Sequence, residues 1–513
     1  MRKDCILFFC SFQHFSVSLS IELQLVMLNI QGKIKFSEYA VLYDMLIPKD
    51  NKYRLIDELI DFSFIYDELK DKYSLDNGRK AADPIMLFKY LMIKVIDNFS
   101  DVDVVEHSRY DLSYKRFLGL MPEDDVIDPS LLTKFRRQRL KDVKLLDILI
   151  SKTVGIAIEK GIIKSKSIIV DATHTISKAN PISPIDVLKN RSRTLRNRIK
   201  DWDEKYNDHL PLANHKDNIQ DELKACQELM DFVSSDSKLS CNPALKEDIN
   251  YLAEAIDDVC SHKAISHDHE ARIGHKSAET SFLGYKTHIA MSPERIITAA
   301  TITTGEKSDG KQLPTLLKKT EDNGLEIDTI IGDAAYSGKD NLIMAKEKDI
   351  AVVAKLNEMI TKGHVVKRSS LDDQFTYNKD ADRYTCPLGI LSAKGCDRKD
   401  NKGPNLNRTI IYRWSHRKCS ICKMRRECIG ESNRKLINIR IMSEEHKEQM
   451  AFQNTQEFRL LSKERYKIEA KNAELKNAHG YDRADSYGLS AMEMQGAVTL
   501  FVVNLKRIMK LID

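Results

Sequence analysis

Nowhere in its 513 residues does the chain hold an uninterrupted apolar run long enough to span a bilayer, so no membrane partner is expected. A Gly-rich phosphate loop of Walker type is also missing, and with it the need for nucleotide hydrolysis. No Ser or Cys stands in a nucleophile arrangement. A clean secretory leader is absent too. Met1-Arg2-Lys3 precedes the apolar Ile6-Leu7-Phe8-Phe9, but Gln13 and His14 break the run and no small-residue cleavage site follows. Residues 1–26 can equally be read as an upstream extension, with Met27 as the functional start. Without a leader, ten cysteines point to a reducing, cytoplasmic compartment, and to thiols or metal binding rather than disulfides. A strong charge imbalance is lacking as well. The net charge is only +5, which allows nucleic-acid binding without demanding it, so local charge distribution decides.

What is present is the balance of a globular protein, 42% hydrophobic and 31% charged. The length exceeds one core, so two to four domains are expected. The pattern divides the chain into an extension (1–38), a helical N-terminal domain (39–155), a mixed α/β core (160–356) with a helical insert (184–262), a Cys-rich insert (357–455), and helices that complete the core (456–513).

The most informative stretch is Ser167-Ile168-Ile169-Val170-Asp171-Ala172-Thr173-His174. Its β-branched run predicts a buried strand that ends on one carboxylate. The pattern returns as Ile327-Asp328-Thr329-Ile330-Ile331-Gly332-Asp333-Ala334-Ala335-Tyr336. Two apolar strands ending in Asp-Ala predict two carboxylates at one edge of a sheet, a setting for a hard divalent cation such as Mg²⁺. Asp is rarely buried without a partner, so Asp171 itself asks for a cation. His174 reads as a structural hydrogen bonder outside the site.

Downstream, Arg465, Glu469, Asn472 and Lys476 are spaced by four, three and four, which places them on one helical face. Charge also gathers on two other predicted helices. One begins at Asp128-Pro129-Ser130 and carries Arg136, Arg137 and Arg139; with two earlier helices it suggests a helix-turn-helix module. The other presents Lys189, Arg193, Arg196 and Lys200 at helical spacing, a stripe able to track a phosphate backbone. Solvated faces on scaffold helices are the plainer alternative for both. Cys386, Cys396, Cys419, Cys422 and Cys428 fit a structural Zn²⁺ site, most simply Cys386, Cys419, Cys422 and Cys428; reduced thiols in a loop-rich insert are the alternative.

Asp171 and Asp333 at strand ends, with Arg465, Glu469 and Lys476 on one helix, resemble the DDE transposases of bacterial insertion sequences. The helical region 83–140 looks like their N-terminal domain, and Asp268-His269-Glu270-Ala271-Arg272 leading to Gly284-Tyr285-Lys286-Thr287-His288 looks like their linker into the second strand. One position departs: a subset of that family has Tyr three residues before the Arg, where this chain has Ser462. The resemblance implies an RNase H-like fold and an enzyme that cleaves DNA hydrolytically and joins the 3′-OH ends to a target. It also implies two Mg²⁺ ions (or Mn²⁺) held by Asp171, Asp333 and Glu469, with Arg465 and Lys476 on DNA phosphate. The expected partners are double-stranded DNA, at the terminal inverted repeats and the target, and a second copy of the chain. The rival readings are an inactive, transposase-derived DNA-binding protein and a nuclease without strand transfer.

Overall fold

The computed structural model describes residues 37–73, 81–213, 218–260, 266–275, 280–356, 371, 374–378, 383–393, 395–398, 409–440 and 442–512. The segment 1–36, including Met27, lies outside them.

After short helices over Val41–Leu46, Lys52–Leu59 and Ser63–Leu69, the helical region continues as its punctuation predicts. Asp83 caps α1 (Pro84–Ile96), its Oδ1 accepting from the Ile85 N–H at 2.8 Å, with Pro at the first helical position. Ser100 and Asp103 form a reciprocal capping box at the head of α2 (Asp101–Tyr110). Then follow α3 (Leu112–Leu118), α4 (Ser130–Gln138) and α5 (Leu145–Glu159). α3 is a helix beyond those expected from the sequence; Asp111 caps it and Gly119, at φ 73°, ends it.

The core is a mixed six-stranded sheet. β1 (Ser167–Ile176) is central: β3 (Ser281–Met291) runs antiparallel on one side and β5 (Thr329–Ile331) parallel on the other. β6 (Ala351–Val353) extends the parallel side, while β2 (Arg272–His275) and β4 (Ile297–Thr304) both pair with β3. This is the mixed α/β sheet read from the sequence, in an order compatible with an RNase H-like core.

Between β1 and β2 the chain forms α6 (Pro184–Trp202), α7 (Ile219–Ser235) and α8 (Pro243–Cys260), which bury their own core around Leu195, Leu229 and Leu252. One sheet face packs on α9 (Leu313–Asp322) and α10 (Lys339–Glu347) through Val170, Ala290 and Ile330. The other face contributes Ile169, Ile289 and Ile331 to a larger core shared with the N-terminal helices, α12 (Tyr466–His479) and α13 (Leu489–Ile512). Before these come α11 (Glu444–Gln453) and a small β region. There β7 (Thr376–Asn378) pairs with β8 (Arg383–Thr385), and β9 (Cys396–Arg398), β10 (Thr409–Arg413) and β11 (Leu436–Arg440) form a three-stranded sheet. Phe375, Tyr412, Trp414 and Ile437 fill its core. Among the described residues, no helix is long and apolar enough to cross a membrane.

Candidate active site

Strand register brings the two Asp residues together. Ile169 on β1 faces Ile331 on the parallel β5, and Asp171 and Asp333 each follow two residues later. Equal offsets on adjacent parallel strands put both side chains on one face at one end, with backbones about 5 Å apart. The face is the one covered by α12, since Ile169, Ile289 and Ile331 share a core with Ile468 and Leu475. Burial raises the Asp171 carboxyl to about 6, against the pull of the Ala172 N–H and Arg465; the charges of Asp333 and Asp309 push the same way as burial. Asp333 caps the 3₁₀ turn Ala334–Tyr336, its Oδ1 accepting from the Ala335 N–H at 2.9 Å.

A close approach explains Gly332. A Cβ there would meet the Tyr336 ring at 2.8 Å and Val170 Cγ2 at 3.0 Å. Tyr336 is buried, and its phenol is held well above its ordinary range by burial first, then by Asp171, Asp309 and Asp333. Its hydroxyl has no hydrogen-bond partner among the described residues.

Asp309 is the residue that sequence reasoning missed. It sits in the turn after β4, accepting from Lys286 Nζ at 2.8 Å, with His288 Nδ1 3.7 Å away. Burial lowers the His288 imidazole to about 4, so it is neutral at physiological pH; its Nε2 meets Thr303 Oγ1 at 2.9 Å. Asn341 Nδ2 ties this turn to the Asp333 turn, donating to the carbonyls of Gly310 (2.9 Å) and Tyr336 (3.1 Å). A loop of Lys, Ser, Asp and Gly carries no periodic signal, so only the fold reveals a third acid near the pair.

The helical face of Arg465, Glu469, Asn472 and Lys476 does meet β1. Asn472 Nδ2 donates to Asp171 Oδ2 at 3.1 Å, and Lys476 Nζ lies 3.4 Å from His174 Nε2. His174 in turn packs on the Phe282 ring at 4.9 Å. Glu469 does not close with the two Asp residues. Its carboxylate, 57% exposed, pairs with Arg465 Nη1 at 3.0 Å. Among the described residues, no group of three or more His, Cys, Asp or Glu side chains is placed to hold a metal ion. The expected Zn²⁺ set forms no such group either: Cys386, Cys419 and Cys428 pack against the small Trp414 core, and Cys422 is half-buried near them in sequence.

Several predicted DNA-contacting side chains are turned inward. Arg136 forks onto Asp101, with Nη1 to Oδ1 at 3.1 Å, and Arg139 donates to the Lys72 carbonyl while stacking over the Tyr73 ring at 4.4 Å. Only Arg137 of that trio is exposed. Arg196 is buried and donates to the carbonyls of Pro211 and Leu212, closing the insert. Arg136 and Arg139 are half-buried and Arg196 is buried, each with its guanidinium on a carboxylate or carbonyl of the fold. Arg193 and Lys200 are exposed, and Lys189 is half-buried.

Fold and site define an α/β protein with an acidic pair on adjacent parallel strands, beneath a helix carrying a third acid; Asp333 lies just past β5, but Asp171 sits in the middle of β1 rather than at its expected end, because β1 goes on pairing with β3 as far as Ile176. Residues 41–138 match a family model described as Transposase domain (DUF772), and residues 256–505 match one described as Transposase DDE domain. With both domains in this order, the chain belongs to the DDE transposases of insertion sequences. Asp333 and Glu469 fall inside the second match, and Asp171 lies between the two. No curated protein matches the chain.

Proposed function

We propose that the chain binds the ends of its own mobile element, cleaves the DNA there and joins the freed 3′-OH ends to a target, working as a dimer with one subunit on each end. The observation that carries this is the register that sets Asp171 and Asp333 side by side under α12. The donor set suits Mg²⁺: hard carboxylate oxygens, one of them with a raised pKa and repelled by Asp333 and Asp309, a repulsion that a cation relieves. Asp171 and Asp333 would hold the ions, with Glu469 joining once it leaves Arg465. Bound there, Mg²⁺ supplies activation of the attacking oxygen and stabilisation of the leaving oxygen.

The chain's own residues do the rest. Arg465, released from Glu469, and Lys476 offer cations to phosphate beside the acids. Asn472 holds the Asp171 carboxylate. Exposed Arg137, Arg193 and Lys200 supply sequence-independent attraction to the duplex. Labelled element-end DNA tests the reading. Native protein should yield cleaved and joined products with Mg²⁺, while Asp171→Asn and Asp333→Asn bind the DNA without cutting. Cleavage undiminished in both variants would sink the proposal; cleavage without joined products would leave a nuclease.

A further inference from the structure

The helix that carries Glu469 touches the Asp171 strand through a residue with no part in the three-acid scheme. Asn472 Nδ2 donates to Asp171 Oδ2 at 3.1 Å, a contact between residues 301 positions apart. Its other amide atom, Oδ1, is buried and has no hydrogen-bond partner among the described residues. Thr173 Oγ1, on the same strand face as Asp171, is buried and unpartnered as well. A buried amide oxygen without a partner costs stability, and at the end of a carboxylate pair it is a hard oxygen acceptor held ready.

Position along the helix adds to this. Asn472 meets Asp171 and Lys476 meets His174, so α12 follows β1 in the same sense. Glu469 lies three residues before Asn472, about 4.5 Å back along the axis and on the same face. The Asn472 contact therefore sets how far Glu469 can reach toward the two Asp residues. It also gives Asp171 an oriented side-chain donor beside the Ala172 N–H, so the carboxylate cannot rotate freely.

We propose that Asn472 is a positioning residue of the catalytic centre: it locks the Asp171 carboxylate to the helix of the third acid, and so fixes the geometry in which the acids receive divalent cations. The proposal rests on the DNA-cleavage reading above. Residues that hydrogen-bond a ligating carboxylate fix its orientation, and losing one costs about 10- to 100-fold in metal affinity or activity.

The test uses the full chain with Asn472→Ala and with Asn472→Leu, which keeps the side chain's size and removes the donor without adding charge. Free Mn²⁺ is followed by electron paramagnetic resonance as it is titrated into each protein without DNA, and cleavage of element-end DNA is measured across Mg²⁺ concentration. The expected result is Mn²⁺ binding weakened about 10-fold or more and a similar fall in kcat, with KM for DNA and melting temperature near native. Native Mn²⁺ affinity and kcat in both variants overturn the proposal. A rise in DNA KM alone overturns it too, as does a loss explained by unfolding in both variants, since either assigns Asn472 another role. Undiminished cleavage by Asp171→Asn defeats the cleavage reading itself. Native behaviour of the Asn472 variants beside a dead Asp171→Asn defeats only the positioning role.

Discussion

Asn504 of α13 brackets Ile297 at the start of β4 with both ends of its amide. Its Oδ1 accepts from the Ile297 N–H at 2.8 Å, and its Nδ2 donates to the Ile297 carbonyl at 2.8 Å and to Thr153 Oγ1 at 2.9 Å. All of this is buried. Asn504→Leu leaves a strand N–H and carbonyl without partners in the core, and the expected loss is roughly 2 to 4 kcal/mol, read as a lowered urea midpoint. An unchanged midpoint would show that the bracket contributes nothing.

The raised Asp171 carboxyl makes stability depend on pH. Its folded value, about 6, exceeds the ordinary carboxylate value of 3.8, so the folded state holds the proton more tightly. The associated stability is fully present below the unfolded value and is lost as pH rises through about 6. Without divalent cation, Asp171→Asn is therefore expected to melt higher than native protein at pH 7.5, by up to about 3 kcal/mol, with the advantage shrinking toward pH 4. Added Mg²⁺ should raise the native melting temperature and leave that of the variant nearly still. Melting curves at three pH values, with and without Mg²⁺, decide it.

Gly310 is held against the Asp333 turn, where an added Cβ would come within 2.2 Å of the Ala335 carbonyl oxygen. Backbone cannot give way as a flexible side chain can. Gly310→Ala should push the Asp309 turn off the Asp333 turn, at a cost of about 1 to 3 kcal/mol, and lower cleavage further than the stability loss alone explains. Equal melting and equal cleavage would mean the two turns move independently.

On α4, neighbouring arginines should behave differently. Arg137 is exposed, so Arg137→Ala is expected to weaken DNA binding and reduce the salt slope by about one, with little change in melting. Arg136 pairs with Asp101 inside the fold, so Arg136→Ala should lower the melting temperature first. Filter binding at several salt concentrations, beside thermal melts, separates the two roles.

The strands and their acids were legible because a β-branched run meets a lone carboxylate twice, and parallel pairing then aligns the two; that β1 runs on past Asp171 to Ile176 was not, since its continuation depends on pairing with the distant β3. The shared face of Arg465, Glu469, Asn472 and Lys476 was legible from spacing alone, and two of its members do reach β1. Direction was not legible. Arg136, Arg139 and Arg196 occur in basic runs, yet their partners Asp101, Lys72, Pro211 and Leu212 come from other segments, and only folding brings them close. The same holds for Asp309, which reaches the site through β3 and through Asn341, and for the Glu469 carboxylate, which Arg465 captures one turn away.

The sheet is made early and covered late. Asp171 and Asp333 emerge from the ribosome well before α12 and α13, whose residues close the same face. At about 5 to 20 residues per second, Asp333 waits roughly 7 to 27 seconds for the start of α12 and Asp171 roughly 15 to 60 seconds. A nascent chain halted in the intervening β region carries both Asp residues and no Glu469, so synthesis order itself keeps the three acids apart until the protein can also fold around them.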